Sequence, residues 1–307
     1  MDVVYWAHFS PDGRSIVTAS MDCSAKVWDA ETGERLLSLD DHPRSVGSAV
    51  ISPDAHRLVT PTGARATVCV AEPGERFLSM DGLGGRVSWG SFSPDGRYIV
   101  TAGQDFSAKV WDAATGELIA SLDDHMDLVY WAHFSPDGRS IVTASRDSSA
   151  KVWDAATGEL IVSLDDHTGA VNSAVFSPDG RRIVTARRDS SAKVWAAMAG
   201  ELTISLDDHT DLVNSAAFSP GGRTIVTASR DGSAKVWDAT TGELLRSLDG
   251  HVGAVNLATF SPDGRRIVTA GQDGRAKVWD AETGERHLSL DDHPGAVGSA
   301  AVSDTHL

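Results

Sequence analysis

Four times along the chain a histidine, a threonine and an aspartate recur at one spacing: His125, Thr143 and Asp147; His167, Thr185 and Asp189; His209, Thr227 and Asp231; His251, Thr269 and Asp273. Hydroxyl, imidazole and carboxylate are the parts of a nucleophile triad, in which the imidazole takes the hydroxyl proton and the carboxylate orients the ring. An active site is normally built once, and this set is built at least four times, so a structural role is the stronger reading. Acidic pairs precede several of these histidines, at Asp123-Asp124, Asp165-Asp166 and Asp207-Asp208, with Asp40-Asp41 and Asp291-Asp292 before His42 and His293. Carboxylate oxygens beside an imidazole could hold a metal ion. The same imidazole cannot serve both sets, and solvated loop acids are the simpler reading. His8 and His133 occupy equivalent strand positions and read as packing residues. There is no Gly-rich phosphate loop, CxxC pair or HExxH.

The elements that position these groups are repeats. Ten residues beyond each threonine stands a tryptophan: Trp153, Trp195, Trp237 and Trp279. Trp28 and Trp111 share this 42-residue register, and Cys69 fills the slot between them, which makes seven copies. VYWAHFSPDGRSIVTAS occurs unchanged at 4–20 and 129–145, and SAKVWDAATGEL at 107–118 and 149–160. In the copy at 125–166, LVYWAHFS, SIVTAS, AKVWD and LIVSL are short strand-forming runs separated by turn residues, with no helical period. One such sheet cannot bury both its faces, whereas seven stacked around an axis can, leaving only short edges. The expected fold is all-β: a seven-bladed β-propeller of four-stranded antiparallel blades over residues 1–295, with 296–307 as a surplus inner-strand segment and tail.

The spacing and the Trp-Asp dipeptide resemble the WD-repeat family over essentially the whole chain. The resemblance implies that each histidine, threonine, aspartate and tryptophan forms a structural tetrad. In it the aspartate orients the imidazole, and the threonine hydroxyl links the imidazole to the indole N–H. Several copies depart from the pattern. The second keeps His42 and Thr60 but has Cys69 and Val70 for Trp-Asp, lacks the turn aspartate, and is one residue short near Gly63-Ala64. The third has Leu83 where histidine belongs, and the fifth reads Trp195-Ala196. Tolerance of a poor blade explains these more simply than a site made in the second copy. The first copy has Thr18, Asp22 and Trp28 with no histidine before them, so His293 is expected to complete its tetrad. Residues 296–302 would then compete with Val3–Phe9 for one inner-strand place. Tyr5, Trp6 and Phe9 should win it by burying more apolar area.

The formal net charge of −16 makes nucleic acid and anionic membranes poor partners. No apolar run is long enough to span a bilayer, and the first residues lack the pattern of a signal peptide. Two cysteines at different points of the repeat argue against a disulfide framework and for a cytoplasmic setting. By resemblance, partners bind the rim formed by the histidine loops and the turns before the third strands. The residue before each turn aspartate faces it: Met21, Gln104, Arg146, Arg188, Arg230 and Gln272. The inner strands add Val3, Tyr5, Arg86, Leu128, Tyr130, Asn172, Asn214 and Asn256. Arginine and tyrosine are typical interface anchors. The run Arg146, Arg188, Arg230 suits an acidic partner, with pairing to loop aspartates an equally weighted alternative. The expected function is a non-catalytic scaffold that presents this rim to a protein or peptide, without cofactor, metal or catalytic residue. The alternatives are a multivalent small-ligand binder and a propeller fragment of a larger multidomain signalling protein. Oligomeric state is not legible from the sequence.

Overall fold

Runs such as SIVTAS and AKVWD are rich in β-branched residues and too short for helices, and turn residues interrupt them every few positions. They form seven four-stranded antiparallel sheets, each strand paired with its neighbour in chain order. This is the blade pattern of a seven-bladed β-propeller. The computed structural model describes residues 4–9, 15–20, 23–29, 35–39, 46, 48–54, 56–70, 76–80, 84–273 and 276–290. Val3, Met21, Asp22, His42, Leu83, His293 and the 296–307 tail lie outside the described residues, as do the side chains of Tyr5, Trp6, His8, Phe9, Thr18 and Trp28. The expected completion of the first tetrad and the competition for the inner strand therefore fall outside them too.

The chain divides into two compact units, Asp2–Asp147 with Lys151–Ile161, and Ser148–Ala150 with Val162–Leu307. In the second unit, blade 6 comprises Val213–Phe218, Thr224–Ser229, Ser233–Asp238 and Leu244–Asp249. Its second strand is buried at almost every position, because both faces of the sheet are covered. Val184, Ala186, Ala192 and Val194 of blade 5 pack against Val213, Phe218, Ile225 and Trp237 of blade 6. Val226, Ala228, Ala234 and Val236 on the other face of blade 6 pack against Val255, Ile267 and Trp279 of blade 7. The first unit repeats the arrangement between blades 3 and 4, around Val100, Val110, Phe134 and Trp153. There Trp89 and Trp131, on neighbouring first strands, stack with ring centroids 3.7 Å apart. Burying one indole removes about 150–250 Å² from water, or about 4–6 kcal/mol of transfer free energy. Small residues on one face and large ones on the facing blade are what make this packing close.

In blades 2 and 5 an arginine at the start of the second strand clamps the next blade. Arg182 of blade 5 donates to the carbonyls of Gly222, at 2.7 Å, and Ala239 of blade 6. Its guanidinium lies 5.3 Å from the Phe218 ring centroid. Arg57 of blade 2 does the same to Gly96 and Ala113 of blade 3, over Phe92. Arg182→Ala should cost about 1–3 kcal/mol, because it removes charge-assisted bonds to two part-buried carbonyls. Urea unfolding measures this, and a change under 0.5 kcal/mol would show the clamp to be idle.

Candidate functional site

The strand register explains why threonine and tryptophan stand ten residues apart. In blade 6 Thr227 pairs with Lys235, and Ile225 pairs with Trp237. Thr227 and Trp237 are thus diagonal neighbours on one face of the sheet, and the indole N–H donates to Thr227 Oγ1 at 2.9 Å. The loop entering the blade brings His209, whose Nε2 lies 2.7 Å from the same hydroxyl. Its Nδ1 lies 2.8 Å from the Asp231 carboxylate. The hydrogen-bond sense follows: Nδ1–H donates to Asp231, the Thr227 O–H donates to Nε2, and the Thr227 oxygen accepts the indole proton. The second Asp231 contact is to the loop itself, accepting from the Thr210 amide at 3.1 Å. Burial holds the His209 imidazole below its ordinary pKa, against the pull of Asp231. Burial works to raise the Asp231 carboxyl, and hydrogen bonds from Ser233, His209 and Thr210 outweigh it and hold the group well below the usual range.

Blades 4 and 7 repeat this geometry. His125 reaches Asp147 and Thr143, each at 2.7 Å, and Trp153 donates to Thr143 at 2.9 Å. His251 lies 3.0 Å from Asp273 and 2.8 Å from Thr269, and Trp279 donates to Thr269 at 2.9 Å. In all three blades both ring nitrogens are committed and the threonine oxygen already accepts a proton. None of the three can serve as a free general base beside a free nucleophile.

Blade 5 corrects the expectation of a fourth such set. Trp195 donates to Thr185 at 3.0 Å, and His167 Nε2 meets Thr185 at 3.1 Å. Asp189, however, is ion-paired to the buried guanidinium of Arg187. Among the described residues His167 Nδ1 and Arg187 Nε, both buried, have no hydrogen-bond partner. The imidazole lies nearer the indole, at 4.9 Å between centroids against 6.0 and 6.2 Å in blades 4 and 6. Burial, with the Arg187 and Lys193 charges adding to it, lowers the His167 pKa to about 2.

The position two before the turn aspartate causes this. It is Gly103, Ser145, Ser229 and Gly271 in blades 3, 4, 6 and 7. At Gly271 an added Cβ would stand 2.3 Å from His251 Nδ1 and 2.6 Å from Asp273 Oδ1. Ser145 and Ser229 there donate to the Asp127 and Asp211 carbonyls and accept the Asp147 and Asp231 amides. The small-residue pattern was a signal available in the sequence, and Arg187 breaks it.

The other recurring groups also have partners. Lys151, Lys193 and Lys235, on the third strands, bond the carboxylates of Asp124, Asp166 and Asp208. Those hydrogen bonds are the main cause of the lowered carboxyl pKa values. The second member of each described acidic pair is therefore bound by an ammonium, and among the described residues no three metal-type ligands converge. The aspartate of Trp-Asp caps its own turn. Asp154 accepts from the Ala156 and Thr157 amides at 2.9 and 2.8 Å, a bond that Ala196 cannot make. His133 is half-buried, with Nδ1 2.8 Å from the Phe134 carbonyl oxygen.

On the rim, Arg86, Gln104, Arg146, Arg188, Arg230 and Gln272 are exposed, and Leu128, Tyr130, Asn172, Asn214 and Asn256 are half-buried. Arg146 and Arg230 stand 3.7 and 4.0 Å from Asp127 and Asp211. Arg188 Nε donates to Asn172 Oδ1 at 3.3 Å. The side-chain amides of Asn172 and Asn214, expected to face a partner, donate to the Val213 and Val255 carbonyls of the next blade. Their nitrogens stitch first strands together because an asparagine at strand entry is just long enough to cross to the neighbouring backbone.

Blade 2 is built differently. Its first strand is only Val50–Ile51, and Thr62 pairs with Arg65 across a two-residue turn with Gly63 at a φ of 55°. Cys69 is buried in the tryptophan slot and offers no indole N–H. The Val50 and Ile51 amides should exchange with solvent faster than those of Val129–Phe134, because fewer bonds hold the sheet. Equal protection in a native-state exchange experiment would contradict this.

A family model described as "WD domain, G-beta repeat" matches residues 2–29, 80–112, 116–154, 158–196, 200–238 and 242–280. The degenerate second copy is the part it passes over. Among solved structures, the chain is similar to the crystal structure of a computationally designed protein, Ika8. The two share 29% identity and a TM-score of 0.85 over 98% of this chain and 90% of that one.

Proposed function

The chain belongs to the WD-repeat family, and from that premise we propose that it is a non-catalytic scaffold whose rim binds a protein or peptide. WD repeats generally mediate protein–protein interaction, and the family is generally non-enzymatic. The observation that carries the proposal is a contrast at one end of the blades. In blades 4, 6 and 7 the catalytic-looking groups there are satisfied inside the tetrads, while the loops they hold present large side chains to solvent. Met126 is 83% and Val252 78% exposed, and Arg146, Arg188 and Arg230 are exposed as well. A rim fixed in this way binds with little ordering cost. A cytoplasmic setting is part of the proposal, because two cysteines at different points of the repeat suit a reducing compartment.

The test is partner capture by two triple variants of equal charge change. One removes the rim arginines (Arg146→Ala, Arg188→Ala, Arg230→Ala). The other removes exposed arginines at the opposite strand ends (Arg139→Ala, Arg181→Ala, Arg223→Ala). The rim variant should lose partners that the other keeps, and the reverse pattern would overturn the proposal. Binding of an acidic partner there should weaken with salt, since exposed charge pairs are screened over about 8–10 Å.

A further inference from the structure

Phe106 is out of place in its own repeat. The residue after each turn aspartate adopts a left-handed backbone: Ser148, Ser190 and Gly232 have φ of 72°, 71° and 90°, and Cys23 in the first copy has 66°. Small residues suit that conformation, and a bulky one is strained in it. Phe106 holds φ 68° and is nevertheless 45% exposed, so burial of the ring does not compensate for the strain. Strain kept at an exposed aromatic points to use of the side chain.

Its neighbourhood follows from repeat equivalence. A Cβ on Gly232, three repeats on, would face the carbonyls of Gly253 and His251 at 3.3 and 3.7 Å. The equivalent residues for Phe106 are Asp127 and His125. Phe106 therefore stands against the loop that carries Met126, the most exposed large apolar side chain among the described residues. Two arginines flank this spot. The Arg86 carbonyl accepts from the Gln104 amide, two residues before Phe106, and the Leu128 carbonyl accepts from the Arg146 amide. Arg86 is exposed, with no ion pair among the described residues. Arg146 is 56% exposed and makes a long, solvent-exposed ion pair with Asp127 at 3.7 Å, the kind that is worth little and is readily exchanged. The nearby Asp105 and Asp147 carboxylates are already taken by Lys109 and His125.

We propose that Phe106 and Met126 form the anchor site of this rim, and that its occupant is an extended protein segment carrying a large apolar side chain beside a carboxylate. The apolar side chain would pack on Phe106 and Met126, and Arg86 and Arg146 would take the carboxylate. This rests on the scaffold reading above and narrows it to one pair of blades.

The probe is a displayed random peptide library selected on the full chain, followed by affinities of the synthesised winners. Selected peptides should share an aromatic or long aliphatic residue next to Asp or Glu. Phe106→Gly should weaken them tenfold or more, Arg86→Ala several-fold, and Arg230→Ala less than twofold. Phe106→Gly should also melt no lower than the parent, since glycine relieves the strain, so that lost binding is not lost folding. Peptides that bind Phe106→Gly as well as the parent, that share a basic motif, or that fail to enrich at all would overturn the proposal. If those peptides depend on Arg188 or Arg230 instead, the anchor is wrong and the scaffold reading stands. If no rim substitution affects them, both fail.

Discussion

Arg187→Ser should make the protein more stable and less sensitive to acid. Serine at this position in blades 4 and 6 bridges a loop carbonyl and the turn amide, and it leaves the aspartate free for the imidazole. The substitution removes a buried guanidinium whose Nε is unsatisfied and lets Asp189 return to His167 Nδ1. Replacing a buried ion pair is often neutral or stabilising, and here two orphaned atoms are relieved as well, so the gain should be about 1–3 kcal/mol. The pH dependence has a definite sign. The His167 pKa is about 2 in the fold, against about 6.5 in the unfolded chain. Below pH 6.5 the unfolded chain binds a proton that the folded one does not. Stability from this group is therefore full above about pH 6.5 and falls with pH, by about 2 kcal/mol at pH 5. With Asp189 beside the ring the folded pKa rises and that loss shrinks. Urea unfolding at pH 7.5 and pH 5 measures both effects, and an unchanged stability with an unchanged acid slope would contradict the account.

The opposite effect should follow Thr227→Val. Valine keeps the shape of the buried threonine but cannot donate to His209 Nε2 or accept from the Trp237 indole. Each buried group left without its partner costs about 1–3 kcal/mol, so the loss should be about 2–5 kcal/mol. Thr101→Val in blade 3 is the internal comparison. Thr101 accepts from Trp111, but that repeat has Leu83 in the histidine slot, so one buried group is stranded instead of two. The blade 6 variant should therefore lose about twice as much. Equal losses would mean that the imidazole contributes nothing to the network.

The blades were legible because a 42-residue register with Trp-Asp in it can bury its strands in few ways, and Thr227 and Trp237 show how register turns spacing into contact. The members of the tetrads in blades 4, 6 and 7 were legible for the same reason. What each member binds was not. Asp189 has the right spacing to reach His167, yet a long cation two residues earlier reaches it first, and that competition is decided in space. Asn172 and Asn214 read as rim residues because strand entry points outward, but the neighbouring backbone lies within their reach. Lys151, Lys193 and Lys235 recur in register and could have been matched to the acidic pairs, had the third strand been set against the loop across the sheet. Phe106 carried its signal openly, as the one aromatic in a slot that, outside the shortened second copy, is otherwise held by serine, glycine and cysteine. Its meaning needed the backbone angle.

The central claim is that this end of the blades holds structure inside and a partner outside. Amide-exchange footprinting of the chain with a captured partner tests it most directly. Binding should slow exchange in the histidine loops and the turns before the third strands, at residues 84–86, 103–107, 125–130 and 145–148 among others. It should leave the Pro-Asp-Gly turns at 136–138 and 178–180 unchanged. Protection confined to those opposite turns, or to the fourth strands at 118–122 and 160–164, would contradict the account.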